Sequence, residues 1–410
     1  AAVTLMGAAG CGGLLDAELP GRIPTDLLAD PSNAPVLAAS VVADFECAYS
    51  NYVLSTAILS DQFLGASGNA TAKAWGTKNV TETDAANQST ACSGSFGAYT
   101  PLQTARYQSE DVITRLEAWT DAEAGTELAP LRARTRVLGA YSYTFLGEGY
   151  CSMRFKDGPI ITPAAVLALA EQKFTEAIAA AGQVTGSVGT ELLNLARVGR
   201  ARVRLDLGNK TGAAEDAAAV TPGFEYFVTR SADATSRYND AYWAITEQRH
   251  GSVDPAFRSL TVDGTPDPRV EVKFGPDIGL PAKSFDGVTD LYVVTNKNTS
   301  RAAPMRLASY VEARLILAEA VGGTQAADII NARRTQLSLP TYNGPTDDAS
   351  ITALILDERN RELFMEGGHR LNDLVRYNIP FKVGNDQVGS PYGPATCMPL
   401  PQLERIAAGG

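Results

Sequence analysis

Residues 351–377 read ITALILDERNRELFMEGGHRLNDLVRY, after YVEARLILAEAVGG at 310–323 and AADIINARRTQLSLP at 326–340. At about 100° per residue, Glu358, Arg359, Glu362 and Glu366 fall on the helix face that Ile355 occupies one turn earlier. An apolar stripe therefore becomes charged within one predicted helix. Buried charges persist only when paired, so the pattern predicts an internal ion network in which Arg333, Arg334, Arg370 or Arg376 neutralise this face, with Asp373 in the same stretch. A carboxylate pair working as acid and base, as in glycoside hydrolysis, is the catalytic alternative. The arginines of the same stretch would hold those carboxylates ionised, which favours the structural reading.

Working outward, Leu307, Val311, Leu315 and Ala318 form the stripe of a preceding helix, and Ala326, Ile329, Ile330 and Arg333 that of a second begun after Gly323. Residues 222–300 are rich in Pro, Gly, Asp and aromatics, with short alternating pieces at Arg269–Phe274 and Asp290–Thr295, and read as a loop-rich insertion with short strands. Residues 36–221 are a helical body. Val41, Phe45, Tyr49 and Val53 recur every four positions in a first helix over Val36–Leu59, followed by a long polar loop over 65–98. Helical patterning resumes at Pro101 and runs to Gly149 with a break near Gly125. Thr162 before Pro163 is a hydroxyl cap with proline in the first turn. The next helices lie over Thr190–Leu207 and Gly212–Val220, with Ala170 and Gly199 as the small residues that let helices approach closely. This is the pattern of tetratricopeptide-like helical hairpins. The predicted organisation is 1–35 signal remnant and tether, 36–221 helical body, 222–300 insertion and 301–410 carboxy-terminal helical region, in a mostly α fold.

The carboxy-terminal motifs resemble the signature of the SusD/RagB family. The alanine-glutamate-alanine close of one helix, an isoleucine-asparagine-x-x-arginine helix, and an ExRxxEL helix leading into EG-x-R-x-x-DL-x-R are matched at Glu358, Arg359, Glu362, Leu363, Glu366, Gly367, Arg370, Asp373, Leu374 and Arg376. The tail Met398, Pro399, Leu400, Pro401, Gln402 stands where that family has its proline-rich ending. The resemblance implies a SusD-like α/α superhelix that captures a glycan or other nutrient at the outer-membrane surface, lids a TonB-dependent transporter, does no covalent chemistry and needs no cofactor. A rival from another class is a self-associating subunit of a surface layer or filament built on the same body.

Composition agrees with that frame. The net charge of −11 without basic runs argues against a nucleic-acid partner. No uninterrupted apolar run approaches the roughly eighteen residues that cross a bilayer as a helix. Small residues Ala8, Ala9 and Gly10 before Cys11 look like the end of a bacterial lipoprotein signal, making Cys11 the expected lipidation site and a lipid anchor the expected membrane contact. Cys47, Cys92, Cys151 and Cys397 then leave an even set for two disulfides in an exported chain. Pairing Cys47 with Cys92 and Cys151 with Cys397 is preferred, although four cysteines allow three connectivities.

Only His250 and His369 are present, too few for a three-histidine metal centre. The glycine-rich GAAGCGG lacks the lysine and hydroxyl residue of a phosphate loop, and no serine sits in a nucleophile elbow. Sugar rings are captured on aromatic faces with polar groups fixing the hydroxyls. Trp75, Tyr99, Tyr238, Tyr242 and Trp243 are the candidates, each competing with an ordinary place in the core.

Overall fold

A computed structural model describes residues 27–408 apart from 93 and 95. Cys11 and most of the expected tether lie outside the described residues. The chain enters α1 (Ala34–Leu59) through two 3-10 turns. Val41, Phe45, Tyr49 and Val53 are all buried along it, with Phe45 stacked and Tyr49 tilted against Phe145.

The expected polar loop differs from what forms. Residues 63–98 hold the short strand β1 (Phe63–Gly65) and the helix α2 (Ala70–Gly76), capped by the Asn69 side chain. The small residues serve contact rather than solvation here: a Cβ on Gly65 would stand 2.4 Å from the Gly76 Cα. Trp75, on the same helix, is fully buried.

The helical body follows as α3 (Tyr99–Ala118), α4 (Asp121–Ala124), α5 (Ala129–Gly149), α6 (Pro163–Ala181), α7 (Gly186–Asp206) and α8 (Lys210–Ala218). The punctuation is local chemistry. Thr120 and Glu123 cap α4 reciprocally and Gly125 ends it at φ +63. The Thr162 hydroxyl accepts from the Ala165 N–H at 3.3 Å to start α6. Chain neighbours α5 and α6, α6 and α7, and α7 and α8 pack side by side. Gly199 lies beneath Phe174, where a Cβ would stand 2.1 Å from the ring, so only glycine permits that crossing.

The remaining elements are β2 (Met153–Arg154), β3 (Ile160–Ile161), β4 (Glu225–Val228), α9 (Asp240–Tyr242), β5 (Gly251–Val253), β6 (Thr261–Val262), β7 (Thr265–Pro266), β8 (Val272–Phe274), β9 (Tyr292–Val294), β10 (Met305–Ser309), α10 (Tyr310–Val321), α11 (Gly323–Gln336), α12 (Asp348–Glu362), α13 (His369–Arg376) and α14 (Gln402–Ala407). The strands pair only two by two and antiparallel: β1 with β5, β2 with β3, β4 with β10, β6 with β7, β8 with β9. The 3.6-residue reading over Leu307 is corrected, because Leu307 lies in β10 and the Ser309 hydroxyl, accepting from the Glu312 N–H at 3.1 Å, starts α10 behind it. One apolar core runs from Ala34 to Leu400, so the loop-rich stretch and the helical body share an interior. A smaller core joins α10, α11 and α12.

Two disulfides form, Cys47–Cys92 and Cys151–Cys397. The second ties the end of α5 to the tail, where Met398 and Leu400 are fully buried and the Cys151 N–H donates to the Met398 carbonyl at 3.0 Å. The bridged residues are 246 and 45 positions apart. Chain entropy grows with the logarithm of the closed loop, so replacing Cys151 and Cys397 together by serine is expected to cost about 1.5 kcal/mol more than replacing Cys47 and Cys92 together. Guanidinium unfolding of the two double variants checks the order.

Candidate functional site

The charged face of α12 is closed by salt bridges. Glu358 accepts from Arg334 Nε and Nη2 at 2.8 and 2.6 Å on one oxygen and from Arg269 Nη1 at 2.5 Å on the other. Arg269 in turn grips Asp267 with two donors at 2.9 and 2.7 Å. Glu362 receives Arg333 at 3.1 and 2.8 Å. Arg359 spans three helices: Nε and Nη2 donate to Asp373 on α13 at 2.8 and 2.7 Å, and Nη1 donates to Glu319 on α10 at 2.5 Å. Burial alone would raise the Glu319 carboxyl, but Arg359 and Arg376 outweigh it and hold it down at about 2.

Two expectations change. Glu366 is not on the helix, because α12 stops at Glu362 and the chain turns through Met365, Gly367 and Gly368, all at positive φ. It accepts instead from Lys297 Nζ and Arg306 Nε, both at 2.8 Å. Arg370 and Arg376 do not reach the glutamates of α12. Arg370 grips Asp61 at 2.7 and 2.6 Å, and Arg376 takes Glu319 at 2.6 Å and Asp206 at 3.2 Å. Asp61, Asp267, Arg269, Lys297, Arg306 and Glu319 were not among the residues singled out. Only Glu319, inside the alanine-glutamate-alanine close, carried a signal.

A second buried cluster lies beneath. Arg202 on α7 clamps Glu148 on α5, donates from Nη2 to the Gly367 carbonyl at 2.6 Å and meets His369 Nε2 at 3.0 Å. Glu312 stands 3.4 Å from His369 Nε2 and 3.8 Å from Arg202. Burial pushes the Glu312 carboxyl up to about 7 against the pull of Arg202. Burial, and then the surrounding arginines, push His369 well below the usual histidine range. Among the described residues, no group of three or more His, Cys, Asp or Glu has metal-site geometry.

The candidate aromatics part company. Trp75 is fully buried and Tyr99 is 5% exposed with its ring edge-on to Tyr150, so Trp75 is removed from the surface and Tyr99 lies beneath it. Tyr238, Tyr242 and Trp243 are half-buried together around α9, which runs straight into a π-helical turn over Trp243–Glu247. Such turns concentrate at functional positions. The Arg301 guanidinium covers the Tyr238 ring at 4.5 Å and donates to its hydroxyl at 2.9 Å. Trp243 and the 48% exposed Phe285 flank His250 edge-on at 6.4 and 5.2 Å. Gly94 passes across the indole, where a Cβ would stand 3.4 Å from it, and donates its N–H to Asp240 at 3.2 Å. The Cys47–Cys92 bridge holds that passage against α1. Asn239 caps α9 and donates to Asn298 at 2.8 Å, which joins the aromatics to the 296–306 loop. A cavity of about 290 Å³ opens beside this loop, lined by Phe227, Asn296, Lys297, Thr299 and Met365. Phe285 and Arg301 had no local sequence signal.

Residues 231–393, which carry the aromatics, the 296–306 loop and α10 to α13, match the SusD family model. That stretch is a SusD-family region. The fold of the chain is similar to a SusD-like carbohydrate binding protein from Bacteroides vulgatus (14% identity, TM-score 0.68, 93% of this chain and 97% of that one). It is similar too to a laminarin binding SusD-like protein (15%, 0.57, 92% and 97%) and to surface glycan-binding protein A from Bacteroides fluxus (14%, 0.60, 92% and 97%). No curated protein sequence matches it. The SusD likeness in fold therefore covers the helical body that the family model leaves out.

The raised Glu312 gives the protein a signed pH response. The unfolded carboxyl ionises near its ordinary 4.5 and the folded one only near 7, so stability falls as pH rises through that window. Glu312→Gln cannot ionise and is expected to be more stable than wild type at pH 8, by on the order of 3 kcal/mol, with the gain gone at pH 4. Urea unfolding of both proteins at the two pH values measures it.

Proposed function

We propose that this chain captures an oligosaccharide at the cell surface without transforming it and delivers it to a TonB-dependent outer-membrane barrel, anchored through a lipid on Cys11. The observation that carries the sugar-binding part is the pair of part-exposed aromatics Trp243 and Phe285 around His250, with Trp243 opening the π-helical turn that follows Tyr242 and with Asn239 tying α9 to the 296–306 loop. Aromatic faces take the apolar side of a pyranose, and neighbouring amides and hydroxyls take its OH groups. Two similar structures are described as binding laminarin and surface glycans.

Passive capture fits the electrostatics. The motif carboxylates Glu358, Glu362 and Asp373 are buried and held by arginines, and Glu366, which lines the 290 Å³ cavity, is held by Lys297 and Arg306, so none is offered as an acid and base pair to a bound glycosidic bond. Tyr238, already covered by Arg301, serves as the wall behind Tyr242 and Trp243 rather than as a platform.

Titration calorimetry against neutral oligosaccharides, with laminarin fragments among them, tests the reading. Trp243→Ala and Phe285→Ala are each expected to weaken binding by about tenfold, the size of one lost stacking contact, with the circular dichroism spectrum unchanged. A pull-down from native membranes is expected to bring down a β-barrel transporter. Failure of every glycan to bind, or a tagged chain that retrieves no barrel, would sink the corresponding half.

A further inference from the structure

A second groove lies away from the Trp243 surface and shares no lining residue with the 290 Å³ cavity. It has a volume of about 580 Å³ and runs between α3, the turn after β2, and α14. Its walls include Tyr99, Gln103, Thr104, Tyr107, Gln108 and Lys156. Tyr107 is 53% exposed, more than either Phe285 or Phe227. Tyr99, Gln103 and Tyr107 follow at four-residue intervals, which sets them along one helix face over about 12 Å. A short linear oligosaccharide runs over such a length.

The floor is pre-arranged. Gln103 donates to the Tyr99 hydroxyl and to the Arg154 carbonyl, both at 3.1 Å, and accepts from Arg106 Nε at 2.8 Å. Arg106 is 5% exposed, its guanidinium lying 4.9 Å from the Phe155 ring, and Nη1 is spent on Glu110 at 3.0 Å. Arg154 is spent on the Gly158 carbonyl, Glu404 and the Ala407 carbonyl. Lys156, held at φ +52, extends over the groove with its Nζ 3.8 Å from Glu110. A lysine in left-handed backbone is a strained arrangement that the surrounding turn must maintain.

Charge decides the class of ligand. Arg106 and Lys156 share Glu110, Arg154 faces Glu404 and Asp157, and the three positive charges thus meet three carboxylates, which leaves no surplus field for an ionic ligand. Besides Lys156 and Asp157, whose opposite charges offset each other, the wall exposes the Tyr107 ring, Leu403, two amides and hydroxyls. We propose that this groove is a second binding site for a neutral oligosaccharide, with Tyr107 as the platform on which a sugar ring stacks. The inference rests on the reading of the chain as a glycan binder. It adds a site that the aromatic surface around α9 does not contain.

The test uses the full chain, titrated with laminarin-derived oligosaccharides and maltoheptaose and followed by native mass spectrometry for stoichiometry. The Trp243→Ala variant is expected to keep one oligosaccharide bound as tightly as wild type and to bind the other about tenfold more weakly. Adding Tyr107→Ala to it should weaken that residual binding by about tenfold, and adding Thr104→Trp, which fills the groove from an exposed position, should abolish it. Complete loss of binding in Trp243→Ala alone overturns the second site while leaving glycan capture standing. Residual binding that ignores both added substitutions overturns it as well. If wild type binds neither sugar, this proposal and the glycan-binding reading fall together.

Discussion

The clamp of Arg359 on Glu319 and Asp373 is the constraint on which the carboxy-terminal half depends. One guanidinium joins α10, α12 and α13, and all three side chains are buried. Removing ions from water costs several kcal/mol each, and the cost is recovered only when geometry is good and every lone pair is met. Here Arg376 and the Tyr377 hydroxyl complete the shell of Glu319. Deleting the cation would strand two carboxylates in the interior, so the arrangement tolerates very few alternative packings.

The same network reaches the candidate surface through a traceable path. The left-handed turn after α12 puts Glu366 between Lys297 and Arg306, which secures both ends of the 296–306 loop. Within that loop Arg301 bridges Glu247 and covers Tyr238. Asn239 meets Asn298 across the same seam. The aromatics of α9 are thus backed by ion pairs, which lets a loop surface hold one shape and spares a ligand the entropy of ordering it. On the amino-terminal side, the Cys47–Cys92 bridge performs the equivalent task for the passage across Trp243.

Glu312, Arg202, Glu148 and His369 show the cost of this design. They join α5, α7, α10 and α13 under the surface, yet Glu312 remains under-compensated and His369 is kept from protonating. The interior is therefore most comfortable in mildly acidic water, where Glu312 is still protonated and Glu319 is already ionised.

The sequence by itself determined the helical class, the caps at Thr162 and Gly125, the close approach at Gly199, the charged face of α12 and the strands around 272–274 and 292–294. Each of these is written within one or two turns of chain, where periodicity and capping chemistry act. Tertiary structure alone decided which arginine met which glutamate, since Arg269 and Glu358 stand 89 residues apart and Arg370 and Asp61 stand 309 apart. It alone buried Trp75 in a stretch that reads locally as a polar loop, brought Phe285 and Trp243 together around His250 and set Arg301 over Tyr238. Spacing along a chain encodes a face, whereas the partner of that face is chosen by packing between segments that no local pattern links.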